Sequence, residues 1–293
     1  MSRQKVAIFL NGNHGDVMTA MSVLKYKDII WENKDIVWFC SKNHADVLKF
    51  APVEVREWED FTELIVNKNP DNTLRHDLKV KFSSLDDIDI GYFPAPWMYE
   101  PSDPNRNGID YPNISKRVFG IDPSWAWHPT LYFSEEERQM VKDFCSKLPY
   151  SKTIMMETDC RSSQSTWDDS MTQETMRICR EKLGPCNFIF ASAEKDISKF
   201  LDGHSSVSCS HFTVRQTALV NNYSDLFIGL SSGISVATSC WDNKPTPKIQ
   251  YTSNFACSTV SLANGPIELI EIHALPNPKN RYYESLRKVL NTI

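Results

Sequence analysis

Two loops and one arginine carry the residue types that could do chemistry in this chain. The first loop is Asn13-His14-Gly15-Asp16, which directly follows the apolar run at residues 6–10. A carboxylate in a cleft can take the proton of an attacking hydroxyl while that oxygen bonds to an electrophilic carbon, so Asp16 is a candidate general base. Asn13 and His14 stand beside it as candidates for binding an acceptor or a phosphate. Each has a plainer reading. Aspartate after glycine is a good N-cap for a helix beginning at Val17, and a loop histidine is commonly a solvated side chain. The second loop is Ser231-Ser232-Gly233, between the apolar run 226–230 and a helical pattern from Ile234. Unpaired backbone N–H groups, two hydroxyls and the positive end of a helix dipole suit a phosphate there, although a strand-to-helix turn capped by a serine would use the same residues. Arg161 sits just past the strand expected at 153–157, and its guanidinium could pair with the same anion bidentately.

The elements that must position these residues follow from the hydrophobic pattern. A short continuous apolar run reads as a strand buried on both faces of a parallel sheet, and ligands of such sheets sit beyond the carboxyl ends of the strands. Residues 6–10 are such a run, and Val17, Met21 and Leu24 after the loop recur at helical spacing. Further strands are expected at 36–40, 53–57 and 88–93, with short helices at 44–50 and 61–66 and a loop at 67–72. From Pro94 to Pro129 seven prolines alternate with aromatic residues, which excludes long regular elements apart from one helix near 113–119. The domain junction is placed in this segment. A ring such as Trp97 could stack on the apolar face of a sugar in a cleft, while packing of an interdomain hinge is the other reading.

In the second half, Ser134-Glu-Glu-Glu137 and Thr213-Val-Arg-Gln216 have the form of capping boxes. Helices are expected after each, at 170–183 with a stop at Gly184-Pro185, from Ile234 to Trp241, and at 280–290; strands are expected at 153–157, 187–191 and 226–230, with a last short one at 248–251. Alternating strands and helices in both halves give an α/β fold with mostly parallel sheets. Two domains are expected, an acceptor-side one over 1–133 and a second over 134–293, with the final helix free to pack back on the first.

Composition bounds the partners. The 293 residues hold 41% hydrophobic, 24% charged and 11% aromatic side chains, those of a globular protein with a sizeable core. A formal net charge of −5 argues against nucleic acid as the partner, since phosphate backbones demand clustered Lys and Arg. The apolar run after Met1 is too short for a signal peptide core or a membrane span, and eight scattered cysteines without a Cys-x-x-Cys pair read as reduced thiols; a cytoplasmic location is the expectation. Asp87-Ile-Asp89 has a metal-binding form but lies at the entry to a strand without the loop chelation needs, so no metal site is expected. Neither a Gly-x-Gly-x-x-Gly fingerprint nor a P-loop nor a Gly-x-Ser-x-Gly elbow is present.

The order of these parts is more specific than any one of them. The run from Asn11 to Lys25, with its Gly15-Asp16 pair between a strand and a helix, resembles the opening of heptosyltransferase-like (family 9-like) glycosyltransferases. The run from Thr213 to Thr238 is similar to that family's C-terminal donor-binding signature, and Arg161 through Trp167 to its basic loop ending in tryptophan. The resemblance implies a GT-B fold of two facing Rossmann-like domains that moves a sugar from a nucleotide-diphosphate sugar to a hydroxyl of a glycan or glycolipid acceptor. It implies no metal and no cofactor beyond that co-substrate, and an inverting-type mechanism. On this reading Asp16 is the base, Arg161, Gln164, Ser231, Ser232 and Gly233 bind the donor, and Asn13, His14 and Trp97 face the acceptor. Two departures stand out: Ser231 replaces the acid of the family's donor loop, with Ser235 and Val236 where a histidine would be expected, and Gln164 and Ser165 occupy the place of a lysine. They leave the donor sugar open, and they leave two other functions in play, a sugar-nucleotide-binding protein without catalysis and a nucleotide-sugar epimerase.

Overall fold

The computed structural model describes residues 4–10, 13–57, 88, 90–92, 111–159, 167–192, 196–230, 232–252, 269–273 and 278–293. They divide into two compact units, Met1–Arg106 with Asp110–Tyr132, and Phe133–Ile293 with Asn107–Ile109.

In the first unit, β1 (Lys5–Phe9) leads into α1 (His14–Ala20), a 3₁₀ turn and α2 (Lys27–Ile30), followed by β2 (Asp35–Cys40), a 3₁₀ segment (Lys42–Leu48), β3 (Glu54–Glu57), β4 (Ile90–Tyr92) and α3 (Tyr111–Phe119). The sheet has the order β3-β2-β1-β4 with every pair parallel. Val6, Ala7, Ile8 and Phe9 are all buried, as a central strand covered on both faces requires, and the Phe9 ring stacks on its register partner Phe39 at 4.3 Å. Of the aromatic segment between Pro94 and Pro129, the rings of Phe119 and Trp127 pack inside this unit. Phe119 lies 5.7 Å from Trp31 and 6.2 Å from Trp127, and residues 126–130 are tied to the first helical stretch by Tyr26 to the Ala126 carbonyl, Ser22 to the His128 carbonyl and the Thr130 N–H to Met18 at 3.1 Å. The helix expected at 61–66 and Trp97 fall outside the described residues.

In the second unit, α4 (Glu135–Cys145) precedes β5 (Thr153–Met156), α5 (Asp169–Leu183), β6 (Asn187–Phe190), β7 (Ser206–Ser208), α6 (Val214–Val220), β8 (Leu226–Leu230), α7 (Gly233–Ala237), β9 (Lys248–Thr252), β10 (Leu269–His273) and α8 (Pro278–Leu290). The sheet order is β10-β9-β8-β5-β6-β7, again all parallel. Side chains alternate between two cores: Ile154, Met156, Phe188, Phe190, Ile228 and Leu230 face α5 and α8, whereas Met155, Ile189 and Phe227 face α4 and α6. The final helix, α8, packs on α5, β9 and β10 within this unit. Three details correct the sequence reading. The strand at 248–252 is followed by β10, the short β7 follows β6, and the helix after Ser232 ends at Ala237.

Local signals explain where the helices begin and end. Ser134 and Thr213 close their capping boxes with Glu137 and Gln216, Asp168 caps α5 through the Met171 N–H at 2.9 Å, and Gly184 takes the positive φ of 74° that stops it. Burial pushes the Cys186 thiol up to about 11 and those of Cys145 and Cys209 up to about 12, so these cysteines pack as small apolar side chains. Glu137 does more than cap. Its carboxylate pairs with Arg215 of α6, whose side chain is 0% exposed, joining the two helices that cover one face of the sheet. Removing one member of a buried ion pair strands the other, so Glu137→Ala is expected to cost about 3–5 kcal/mol in urea denaturation. A loss under 1 kcal/mol would show that the pair is not buried in solution.

Candidate functional site

Strand order decides where each sheet can take a ligand. Counted from the first strand of its own unit, the first sheet runs 3-2-1-4 and the second 3-2-1-4-5-6, so the chain reverses direction between β1 and β4 and between β5 and β8. Ligands of doubly wound sheets bind outside the carboxyl ends of the strands at such reversals. The loop with Asn13, His14 and Asp16 leaves β1 at the first. The segment after β5 and the Ser232 turn after β8 meet at the second.

At the first switch point the helix begins at His14 rather than at Val17, with Asn13 as its N-cap. Asp16 is therefore the third helical residue, and its Oδ2 accepts the Asn13 N–H at 2.7 Å. This corrects the reading of Asp16 as the cap itself: a carboxylate at this position closes a capping box from inside the first turn. His14, the first residue of α1, meets the ring of His44 edge-on with centroids 4.6 Å apart. Burial holds the His44 pKa below its ordinary value while the Asp16 carboxylate pulls it up, so the imidazole is neutral at pH 7 with an anion beside it. Its Nδ1 is buried without a hydrogen-bond partner among the described residues. The sequence reading passed over His44 because it lies in the 3₁₀ segment after β2, and only parallel pairing of β1 with β2 brings that segment and the loop after β1 to one edge.

The second switch point is built on a carboxyl group that the sequence reading also missed. Glu157 follows β5 directly, is 3% exposed, and donates its N–H to the Ile228 carbonyl of β8 at 2.8 Å. Its Oε2 accepts the Ser232 hydroxyl at 2.7 Å and the Leu230 N–H at 3.4 Å, with Ser235 Oγ at 3.5 Å. Ser232 is the N-cap of α7, its Oγ accepting the N–H groups of Ile234 and Ser235, both at 3.1 Å. The capping reading of Ser232 thus holds. The hydroxyl proton is committed to Glu157 and both lone pairs to the helix. Gly229 makes the approach of carboxyl and strand possible, since a Cβ there would come within 2.5 Å of the Phe227 ring and 3.1 Å of Glu157 Oε2. Gly233 opens α7, whereas Ser231, Arg161 and Gln164 lie outside the described residues. The segment that carries Arg161 and Gln164 runs from Asp159, two residues past Glu157, to Trp167, which is anchored through Nε1 to Thr172 at 2.9 Å and packs edge-on against Tyr251 and Tyr282. Among the described residues no three His, Cys, Asp or Glu side chains are placed to hold a metal ion, and no helix is long and apolar enough to cross a membrane. Asp87 and Asp89 lie outside those residues.

No protein-family model and no curated protein sequence matches the chain. Solved structures do resemble it from end to end. A glycosyl transferase family 9 protein of Veillonella parvula is similar with a TM-score of 0.69 at 11% identity, covering 100% of this chain and 99% of its own. The ADP-heptose LPS heptosyltransferase II of Escherichia coli reaches 0.66 at 11% identity, covering 99% of each chain. The E. coli heptosyltransferase WaaC, solved with ADP, reaches 0.60 at 12% identity over 98% of this chain and 100% of its own. The chain therefore has the GT-B fold, with two Rossmann-like units of mostly parallel sheet.

Burial raises the Glu157 pKa from 4.5 to about 8, opposed by the Ser232 and Leu230 hydrogen bonds. The folded state then holds a proton that the unfolded chain releases near 4.5, so this group's contribution to stability is complete below pH 4.5 and is lost as pH rises toward 8. Glu157→Gln removes the proton linkage. The melting temperature of Glu157→Gln relative to the unmodified protein is expected to rise across that window and level off above it, and a difference independent of pH would refute the assignment.

Proposed function

We propose that this protein is a glycosyltransferase that moves a sugar from a nucleotide-diphosphate sugar to a hydroxyl of a glycan or glycolipid acceptor. One observation carries the reading: both sheets share the 3-2-1-4 order, and each presents at its switch point a polar loop, one bearing Asp16 and the other the Glu157–Ser232 pair. The whole-chain likeness in fold to transferases supports it, among them one solved with ADP and another that is an ADP-heptose LPS heptosyltransferase.

On this reading Asp16 takes the proton of the acceptor hydroxyl as its oxygen bonds to the sugar carbon. Asn13 and His14 border the acceptor, with Trp97 as a stacking surface, and neutral His44 supplies a further polar edge. The donor diphosphate lies at the β5–β8 switch point, with Arg161, Gln164, Ser231 and Gly233 as its binding residues. Ser232 shapes the loop after β8 through its cap. Stabilisation of the departing diphosphate by Arg161 and fixed backbone dipoles takes the place that a metal holds in other transferases, and the direct attack gives inversion. The reaction belongs in the cytoplasm, where nucleotide sugars are made.

Asp16→Asn is expected to lower kcat about 10²–10⁴-fold while leaving donor affinity within twofold, read by product formation and calorimetry on the same preparation. Retained turnover would remove the base. Chelation with EDTA should leave turnover unchanged, and a loss restored by a divalent ion would overturn the metal-free part of the reading.

A further inference from the structure

Ser232 has one hydroxyl proton and two lone pairs, and the structure accounts for all of them: the proton goes to Glu157 Oε2 at 2.7 Å, and the N–H groups of Ile234 and Ser235 reach Oγ at 3.1 Å. The turn between β8 and α7 is held from its other side as well. The Leu230 carbonyl accepts Gln250 Nε2 at 3.1 Å and the Ser235 hydroxyl, while the Leu230 N–H points to the same Glu157 oxygen. Each of these bonds ends on the short stretch where the donor is placed; Gln250 reaches it from β9 and Glu157 from the end of β5, and Glu157 is the one that takes the Ser232 hydroxyl. We propose that Glu157 is the positioning residue of this loop, setting the turn from Leu230 to Ser235 through the Ser232 hydroxyl so that it receives the diphosphate of a nucleotide. The inference rests on the proposed donor site and adds the residue that forms it.

The assignment carries an electrostatic consequence. A neutral carboxyl beneath the loop leaves the site open to an anion, whereas an ionised one repels it. The groups facing Glu157 from β8 and α7 are uncharged, namely the Leu230 N–H and the Ser232 and Ser235 hydroxyls, and Asp159, on its own segment, raises its pKa further. Nucleotide affinity should therefore fall as the pH passes about 8.

The experiment compares the unmodified protein with Glu157→Gln and Glu157→Ala, measuring amide hydrogen exchange without ligand and calorimetric affinity for ADP, UDP, GDP and dTDP between pH 6.5 and 9.5. In Glu157→Ala the Ile234 and Ser235 amides are expected to exchange at least tenfold faster, and the nucleotide that binds best should bind at least tenfold more weakly. Glu157→Gln, which keeps an acceptor oxygen but cannot ionise, should restore both at pH 6.5 and should keep its affinity above pH 8, where the unmodified protein loses it. Unchanged exchange and affinity in Glu157→Ala would overturn the proposal. Should that variant fail to fold, identical pH profiles for Glu157→Gln and the unmodified protein would overturn it just as well. Accelerated exchange in a protein that binds none of the four nucleotides would sink the donor site while upholding Glu157 as the residue that sets the loop.

Discussion

A hydrogen bond from the Ser232 hydroxyl to the Glu157 carboxyl joins two residues 75 positions apart at the ends of neighbouring strands, and the turn from β8 into α7 is arranged around it. Burying a carboxyl group is unfavourable unless it is neutral or well paired. Here burial favours the neutral form, while two hydroxyls and a backbone N–H gather on one oxygen. A group held in this way is a poor general base and a good strut. Gly229 is the permissive residue, because any Cβ there would push into the Phe227 ring and crowd the carboxyl oxygen.

The first unit solves the same geometric problem with different chemistry. Its carboxylate, Asp16, is partly exposed and spends one oxygen on closing the first turn of α1, a bond that fixes the rotamer and so the direction of the whole group. Structural and chemical roles need not compete at such a position, since a capping box holds a carboxylate in place with a backbone N–H that would otherwise lack a partner. The His44 ring meets His14 edge-on, and the Asp16 carboxylate pulls the His44 pKa up against the burial that lowers it. The two switch points thus differ in their carboxyl groups, one partly exposed and the other buried with its pKa raised to about 8.

Much of this architecture could be read from the residues because local rules and burial agree. Continuous apolar runs such as 6–10 and 226–230 are strands covered on both faces, and the two capping boxes at Ser134 and Thr213 start helices where their spacing says they should. The errors also have local causes. Ser206–Ser208 lacks the apolar run that marks a buried strand, being at the sheet edge, and Asn13 competes with Asp16 for the cap because both side chains can accept a backbone N–H. The proline-rich aromatic stretch is harder to read. Its composition excludes long elements but does not say which core its rings fill, and the rings of Phe119 and Trp127 turn out to fill that of the first unit.

What the chain by itself determined was the alternation of elements, the polar loops after β1 and β8, and Asp16 and Ser232 within them, because each depends on periodicity and turn chemistry within a dozen residues. What only the tertiary structure decided was which strands lie side by side. Strand order sets β5 against β8 and β1 against β2, and so brings Glu157 under Ser232 and His44 beside His14. Neither pairing leaves a trace in local sequence, since a glutamate ending one apolar run and a serine following another are ordinary residues until parallel pairing, which requires a crossover through other elements, places them at one edge.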